Sequence, residues 1–267
     1  MLAQYLGEGP YRFSMAFQRG SFADFYGPTG ENEGVLGERR RWLGEDARKY
    51  LAVTEGAEDL LREAAALGVE HGTLPRDVAL PEGGMELARY LGEHWEADYL
   101  LLRRGAEEVR LVCGCVCFPS SWALEEKIGH RIEEIHGVVP ALNPTIGKQI
   151  QTFLERLKPR VSWMRSNWGL SRSAERNQHP SRKIPRLDES VLLEEVFFRV
   201  EEQSLVALPK SNGILFGIRL KIIPLSGYAG TEEGKRLAEA LETMPEEMAQ
   251  YKGLGGARRR IIELLKG

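Results

Sequence analysis

One histidine in the sequence is held where it could bind a metal. His136 ends the segment RIEEIH, and Gly137 and Pro140 follow it, so the helix predicted there must stop at the imidazole. A histidine between a helix end and two helix breakers is an ordered group. It is either a metal ligand or a structural histidine whose ring nitrogens are hydrogen-bonded within the fold. His179, in the loop sequence NQHP, is its rival as a ligand.

Polar side chains alternate along two predicted strands. Arg199, Glu201 and Gln203 share one face of the strand VFFRVEEQSLVAL. Three polar groups on the inner face of a sheet cost free energy unless they serve a ligand or each other, so Arg199 and Glu201 either face a ligand or form an ion pair. On the strand VSWMRSNWGLS, Arg165 and Asn167 share a face that is either ligand-facing or a solvated edge.

The cysteines are predicted to be packing residues. Cys113, Cys115 and Cys117 are spaced by two on the strand EVRLVCGCVCF, which places them on one face together with Val109 and Leu111. This spacing is not that of a CxxC metal or redox loop, and an odd number of cysteines makes no disulfide framework. Burial as small hydrophobic side chains is therefore favoured over metal binding.

The elements that must position these residues follow a simple order. A hairpin turning at Gly105 comes first, then several helices, then three antiparallel strands. Between the second and third strands Ser121 is predicted to cap a short helix, and a longer helix runs from Asn143 to Pro159. The order is typical of an α+β fold with a PAS-like antiparallel sheet, in which the helices between the second and third strands form one wall of a ligand pocket.

Helical segments precede the hairpin. Residues 1–30 are irregular and rich in aromatic residues, and we expect them to lie across a core formed by later residues. In the helix predicted from Gly34, Arg39 and Arg41 are expected on the solvated face. A second helix, EDLLREAAAL, is predicted to end at Gly68.

Two further helices are predicted in the tail, at Glu232–Thr243 and Ala257–Lys266. We therefore expect one globular unit with three parts. Residues 1–96 form an N-terminal aromatic and helical extension, residues 97–226 form the PAS-like core, and residues 227–267 form the C-terminal helices.

Composition excludes several classes of protein. The 267 residues carry a net charge of −3, with 42% hydrophobic and 28% charged residues, as in an ordinary globular protein. This charge gives no general attraction to nucleic acid or to anionic membranes. No apolar run approaches the ~18 residues of a spanning helix, and the N-terminus does not resemble a signal peptide. We expect a cytoplasmic protein without nucleic-acid or membrane partners.

Five sequence fragments carry a resemblance to a known family. They occur in the order FPSSWALEEKIG, EIHGVVP, NWGL, RVEEQSLVALPKS with an apolar strand and IR after it, and YKGL. Together they resemble the heme-dependent oxidative N-demethylase alpha-subunit family. The similarity runs from the ERRRWL helix to the tail and is strongest between Val112 and Arg219. Each fragment alone is a weak signal, but the ordered set is a specific one.

The resemblance implies a catalytic subunit with a PAS-like domain that binds heme b. In that family the enzyme oxidises the methyl group of a small secondary amine with O2, and it releases formaldehyde and a shorter amine. Electrons come from NADPH through FMN and an iron–sulfur centre on separate reductase subunits, which makes a hetero-oligomer possible. This chain has neither a GxGxxG fingerprint nor the cysteine spacing of an iron–sulfur protein.

The resemblance also implies roles for single residues. His136 is the expected axial ligand of the heme iron, with His179 as the rival. Arg165 is expected to pair with a propionate, and Asn167 to donate a hydrogen bond into the pocket. Three further residues are candidates for contact with the cofactor: Lys127, Trp168 and Arg219.

The expected substrate contact is a carboxylate. Glu201 would supply negative charge for an amine cation, and Arg199 would tune the pKa of Glu201. Two other functions remain open at this point. The first is a heme or small-ligand sensor without catalysis, because PAS-like domains commonly bind and sense; the second is a scaffolding protein with an empty pocket.

Overall fold

The computed structural model describes residues 1–7, 9–12, 17–106, 108–137, 150 and 152–267. Strands in this part of the chain form one antiparallel sheet in an α+β fold, which confirms the predicted fold class. The strands are β1 (Gln18–Gly20), β2 (Leu51–Val53), β3 (Asp98–Arg104), β4 (Val109–Cys115), β5 (Ser162–Ser171), β6 (Phe197–Leu208) and β7 (Gly213–Pro224). Their order across the sheet is β1-β5-β6-β7-β3-β4-β2.

The five strands from β3 to β7 have the PAS-like arrangement. The predicted hairpin of β3 and β4 lies beside β7, the last strand, and β5 lies on the far side of β6. The two remaining strands extend the sheet at its edges, where β1 pairs with β5 and β2 pairs with β4. Each of these edge strands has three residues, too few for an alternating pattern to show in the sequence.

Helices lie before, between and after these strands. They are α1 (Phe22–Tyr26), α2 (Asn32–Tyr50), α3 (Glu58–Glu70), α4 (Gly84–His94), α5 (Ile132–His136), α6 (Glu232–Thr243), α7 (Glu246–Tyr251) and α8 (Arg258–Lys266). The helix α3 continues through Gly68, where the sequence predicted its end. A Cβ at Gly68 would lie 2.6 Å from Leu74 Cδ1 and 3.0 Å from Trp95, so this glycine permits close packing.

The sheet separates two layers of side chains. We call front the face that carries Arg165, Gln203 and Ile218, which are paired across β5, β6 and β7. The front face carries an apolar cluster in which Leu205 and Ile214 pack with residues of the β4–β5 connection, among them Leu124. The back face is covered by two larger clusters, one with α1 to α4 and one with the C-terminal helices.

The expectation that β4 presents one continuous face is wrong. Val109 and Leu111 belong to the front cluster, whereas Cys113 and Cys115 belong to a back cluster. The register between β3 and β4 shifts between Leu111 and Cys113, where Val112 is an extra residue between two successive pairs. An extra residue reverses the side-chain alternation beyond it. All three cysteines are free and buried, including Cys117.

Two local expectations are also wrong. Ser121 does not cap a helix: it has a φ of 63°, and its N–H donates to the Gln178 carbonyl at 3.2 Å, so residues 124–129 form turns. Arg39 is fully buried, because its guanidinium lies 2.5 Å from Asp98 Oδ1 and also donates to the Gly92 carbonyl at 2.6 Å. Pro140 and the predicted start of a helix at Asn143 lie outside the described residues.

Candidate functional site

The helix α5 fixes the position of His136. The N–H of Arg131 donates to a Glu134 carboxylate oxygen at 2.8 Å, and its guanidinium donates to the other oxygen at 2.9 Å, which holds the first turn. The N–H of Gly137 closes the last turn on the Glu134 carbonyl. On the same short helix, Ile135 packs against the front cluster. The RIEEIH turn predicted from the sequence is therefore confirmed, and His136 is its last residue.

The imidazole of His136 is neutral in this environment. It is half-buried, and burial together with the nearby Arg165 guanidinium lowers the pKa of His136 to about 4. No described residue forms a hydrogen bond with either ring nitrogen of His136. A neutral imidazole has one unprotonated nitrogen, and this is the form that binds a metal.

Arg165 lies on β5 among aromatic rings. Its guanidinium carbon is 5.9 Å from the centroid of Phe17, and Phe17 stacks on Phe153 at 4.2 Å. Burial lowers the pKa of Arg165, and the charge of Glu201 opposes this. The guanidinium remains protonated, since arginine is effectively always charged. The front face therefore holds a half-buried positive charge near His136.

Glu201 and Gln203 lie next to this charge on β6. The Gln203 side chain donates to Glu201 Oε2 at 3.2 Å, and Glu201 is paired across the sheet with Asn167. The two predicted strand faces, Arg165 with Asn167 and Glu201 with Gln203, are therefore confirmed, and strand pairing puts all four residues on the front face. These four residues form the centre of the candidate site.

Sequence reasoning missed Lys252 as a member of this site. Its ammonium donates to the Trp168 carbonyl at 2.5 Å and to Asn167 Oδ1 at 3.3 Å. Burial lowers the pKa of Lys252 to about 8, and the charge of Glu201 opposes this lowering. The motif YKGL contained the signal, but nothing in its spacing shows that the chain after α7 returns to β5.

Tyr11 is a second residue near the site that was not predicted from the sequence. Its ring meets Trp168 edge-on at 6.0 Å, and its backbone N–H donates to Thr243 Oγ1 at 2.8 Å. Burial raises the pKa of Tyr11 to about 12, with Arg165 opposing. The phenol is therefore protonated at neutral pH, and it places part of the aromatic N-terminal segment beside the polar residues of β5.

Arg199 forms hydrogen bonds with residues other than its predicted partner, Glu201. Its guanidinium donates to the carbonyls of Glu175 at 2.8 Å and Arg176 at 3.0 Å, and to Ser120 Oγ at 3.3 Å. Burial lowers the pKa of Arg199 to about 10, and Glu201 opposes this. No ion pair joins Arg199 to Glu201 within the described residues. Arg199 therefore fastens the loop after β5 to the strand.

Three predicted cofactor contacts form no hydrogen bond, ion pair or ring contact with His136 within the described residues. Trp168 is on the back face, where it stacks on Phe198 at 5.3 Å. Arg219 is also on the back face; it donates to the Phe25 carbonyl and lies 5.1 Å from the Phe25 ring. Lys127 lies on a turn, and its side chain forms no hydrogen bond or ion pair with any described residue. The side chains of Trp168 and Arg219 therefore lie on the opposite face of the sheet from Arg165.

Both ring nitrogens of His179 contact other side chains of the fold. Its Nε2 lies 3.0 Å from Glu125 Oε1, its Nδ1 lies 2.9 Å from Ser181 Oγ, and the Ser181 N–H donates to the same Nδ1 at 3.2 Å. The side chain is buried. The other three histidines, His71, His94 and His130, are exposed. Of the five, His136 thus combines partial burial with ring nitrogens that no described residue occupies.

Fold and site together define a PAS-like α+β protein whose sheet presents a half-buried polar cluster beside a neutral histidine. A family model described as "Haem-dependent oxidative N-demethylase, alpha subunit-like" matches residues 59–262, well over half of the chain. The chain belongs to this family. No helix in the described residues is long and apolar enough to cross a membrane.

The residues of the front face fit the heme that the family name implies. A heme needs an unprotonated axial ligand, cations for its propionates and an apolar surface for the macrocycle. His136 supplies a neutral imidazole, Arg165 supplies a half-buried cation, and the front cluster supplies apolar surface that includes Trp163 and Phe216.

Proposed function

We propose that this chain is the heme-binding catalytic subunit of an oxidative N-demethylase, a monooxygenase that acts on a small secondary amine. The observation that carries the proposal is the half-buried, neutral imidazole of His136, placed beside Arg165 on the front face of a sheet that belongs to this family. A solvated histidine would be protonated below about pH 6.5 and would bind iron less well.

The cofactor is proposed to be heme b. His136 would bind its iron, and Arg165 would hold one propionate through charge-assisted hydrogen bonds. When bound, the heme supplies the activation of O2, which amino-acid side chains cannot perform. We favour His136 over His179, because Glu125 and Ser181 contact both ring nitrogens of His179.

The substrate contact is proposed to be Glu201. A small secondary amine is a cation at neutral pH, and the half-buried carboxylate of Glu201 accepts its N–H. Gln203 donates to the same carboxylate and orients it, and Asn167 lies opposite on β5. For dimethylamine, the balanced reaction consumes O2, NADPH and one proton, and it yields methylamine, formaldehyde, water and NADP⁺.

The electrons are proposed to come from partner chains. The family is named for an alpha subunit, which supports a hetero-oligomer with reductase subunits that carry FMN and an iron–sulfur centre and oxidise NADPH. The three cysteines are free, as in proteins of a reducing compartment, and we propose a cytoplasmic location.

The test begins with heme binding. The purified protein, supplemented with heme, is expected to show a Soret band, and the His136→Ala variant is expected to lose it. His130→Ala is the matched control, because His130 is exposed and lies in the same segment. A colourless wild-type protein after heme supplementation would count against the proposal.

The second stage measures turnover. With a reductase supplied, the heme-loaded protein is expected to release formaldehyde from dimethylamine. A protein that binds heme but turns over no member of a broad panel of amines would be a sensor or binding protein instead of an enzyme.

A further inference from the structure

The motif YKGL forms a helix end that points one lysine at the sheet. Lys252 follows the last residue of α7, and Gly253 has a φ of 70°, in the left-handed region. The N–H of Gly253 donates to the Gln250 carbonyl, and the N–H of Leu254 donates to the Ala249 carbonyl. This pair of bonds is the Schellman motif, in which glycine takes the left-handed position and the next apolar residue is buried. Leu254 is fully buried, which fixes the direction of the Lys252 side chain.

The ammonium of Lys252 is only partly satisfied. It has three N–H donors, and the carbonyl of Trp168 and the side chain of Asn167 are its two acceptors among the described residues. Its Nζ lies 5.5 Å from the centre of the Trp168 ring. No carboxylate of a described residue lies within ion-pair distance of this Nζ. A half-buried ammonium that no described carboxylate pairs with is costly, so the site is suited to an anion.

The charges of the residues around Lys252 also favour a bound anion. Arg165 is a cation on the front of β5, Lys252 is a cation that contacts both front-facing Asn167 and back-facing Trp168, and Glu201 is the carboxylate that acts on both cations. The phenols of Tyr11 and Tyr251 are neutral, because burial raises the pKa of each. This group of five titratable residues therefore carries one more positive than negative charge at pH 7.

We propose that Lys252 holds a carboxylate of the bound ligand, and that Lys252 and Arg165 together bind the two propionates of the heme. The inference rests on the proposed function and extends it to a residue of the C-terminal segment. Two carboxylates outweigh the excess positive charge. Glu201 is then free to accept an amine cation, which the positive charges of Lys252 and Arg165 would otherwise repel.

The experiment compares two ligands and several variants in the full chain. Iron protoporphyrin IX and its dimethyl ester, in which both propionates are masked, are titrated into the apoprotein and followed at the Soret band. Wild type is expected to bind the free acid more tightly than the ester. In Lys252→Met this preference is expected to fall by about 10-fold, the usual effect of losing one charge-assisted hydrogen bond. Lys252→Arg keeps the positive charge and is expected to retain most of the wild-type preference for the free acid.

Lys210→Met is the matched control, since Lys210 is exposed on the turn between β6 and β7. Near-UV circular dichroism verifies the fold of each variant. If Lys252→Met is misfolded, the preference for the free acid over the ester is measured with Lys252→Gln instead. The glutamine amide retains an N–H donor for Trp168 and Asn167.

The outcomes separate this inference from the proposed function. A Lys252→Met protein with the wild-type preference for the free acid overturns the role of Lys252, while a His136-dependent Soret band still supports the heme enzyme. A wild-type protein that binds neither ligand overturns both.

Discussion

The Nε2 of His179 lies 3.0 Å from Glu125 Oε1, which ties the loop after β5 to the β4–β5 connection. Tyr50 meets the same imidazole edge-on at 5.6 Å. Together with the Ser181 contacts, these interactions make His179 a structural group. By contrast, no described residue forms a hydrogen bond with the ring nitrogens of His136, which leaves them for a ligand.

The first prediction separates these two histidines. His179→Ala is expected to lower the free energy of unfolding by about 1–3 kcal/mol, because it removes buried hydrogen bonds and leaves their partners unpaired. It is expected to keep the Soret band of the heme-loaded protein. Denaturant unfolding and absorption spectra measure the two effects. A His179→Ala protein that is stable but cannot bind heme would make His179 the ligand.

The second prediction concerns two adjacent glutamates on opposite faces of β6. Glu201→Gln is expected to weaken amine binding by about 10-fold, since it removes the charge that accepts the amine N–H. Glu202→Gln is the control: on the back face, Glu202 pairs with Lys221 at 2.6 Å. The measurement is the change in the Soret spectrum of the heme-loaded protein on titration with dimethylamine. Equal effects of the two substitutions would argue against Glu201 as the amine contact.

The third prediction is a pH dependence of stability in the heme-free protein. The pKa of Lys252 is about 8 in the folded chain and 10.5 for an unperturbed lysine, so the unfolded chain binds more protons between these values. The free energy of unfolding therefore rises with pH through this window, by about 1–3 kcal/mol from this group when solvent screening is allowed for. Below pH 8 both states are protonated and the contribution is constant.

Comparison with Lys252→Met isolates this group from the other lysines and tyrosines that titrate in the same range. Wild type is expected to gain unfolding free energy relative to the variant as the pH rises from 8 to 10.5, because the variant has no ammonium to deprotonate at this position. Denaturant unfolding at several pH values measures the difference. Parallel curves for the two proteins would contradict the burial of Lys252.

The fourth prediction concerns the ion pair that joins α2 to the start of β3. Arg39 and Asp98 are both buried, and Asp98 also accepts the backbone N–H groups of Cys117 at 2.7 Å and Phe118 at 3.0 Å. Asp98→Asn or Arg39→Met alone is expected to cost about 3–5 kcal/mol in denaturant unfolding, because each leaves an unpaired buried charge. Arg41→Met, on an exposed part of the same helix, is expected to cost less than about 1 kcal/mol. Similar losses for Arg39→Met and Arg41→Met would contradict this account.

The fifth prediction tests the contact between α1 and the back of the sheet. A Cβ at Gly217 would lie 2.4 Å from Tyr26 Oη and 2.5 Å from Phe25 Cε1, so Gly217→Ala must displace α1. We expect a loss of about 1–3 kcal/mol and faster proteolytic cleavage within residues 1–30. Gly169→Ala is the control, since nothing lies within 4 Å of its Cβ. Rapid cleavage of residues 1–30 in wild type would show that this segment does not cover the core.

Patterns within one segment predicted much of this fold. Alternation over ten or more residues identified β5, β6 and β7, and it placed Arg165 with Asn167 and Glu201 with Gln203 on shared faces. The breaker after RIEEIH identified the end of α5 at His136. In each case the alternation or the helix-breaking residue lies within the predicted element or directly after it. The division into residues 1–96, 97–226 and 227–267 stays a prediction.

The errors come from partners that are distant in sequence. The register shift in β4 depends on β3, so the alternation of Leu111 and Cys113 could not show it. From the sequence, Arg39 is one of several arginines on a helix face predicted to be solvated. Its partner, Asp98, lies 59 positions later in the chain. Lys252 reaches Asn167 from 85 positions away. Local periodicity contains no information on such pairs, which the tertiary fold brings together.

The position of Lys252 in the chain also affects the order of assembly. Domains are synthesised from the N-terminus, and His136 and Arg165 leave the ribosome long before the segment that carries Lys252. If Lys252 binds the second propionate, a nascent chain has its iron ligand and one propionate partner while the second partner is still being translated. Tight heme capture is then a late step in biogenesis. A chain that stalls before the Schellman turn would be selectively poor in cofactor even with a well-formed sheet.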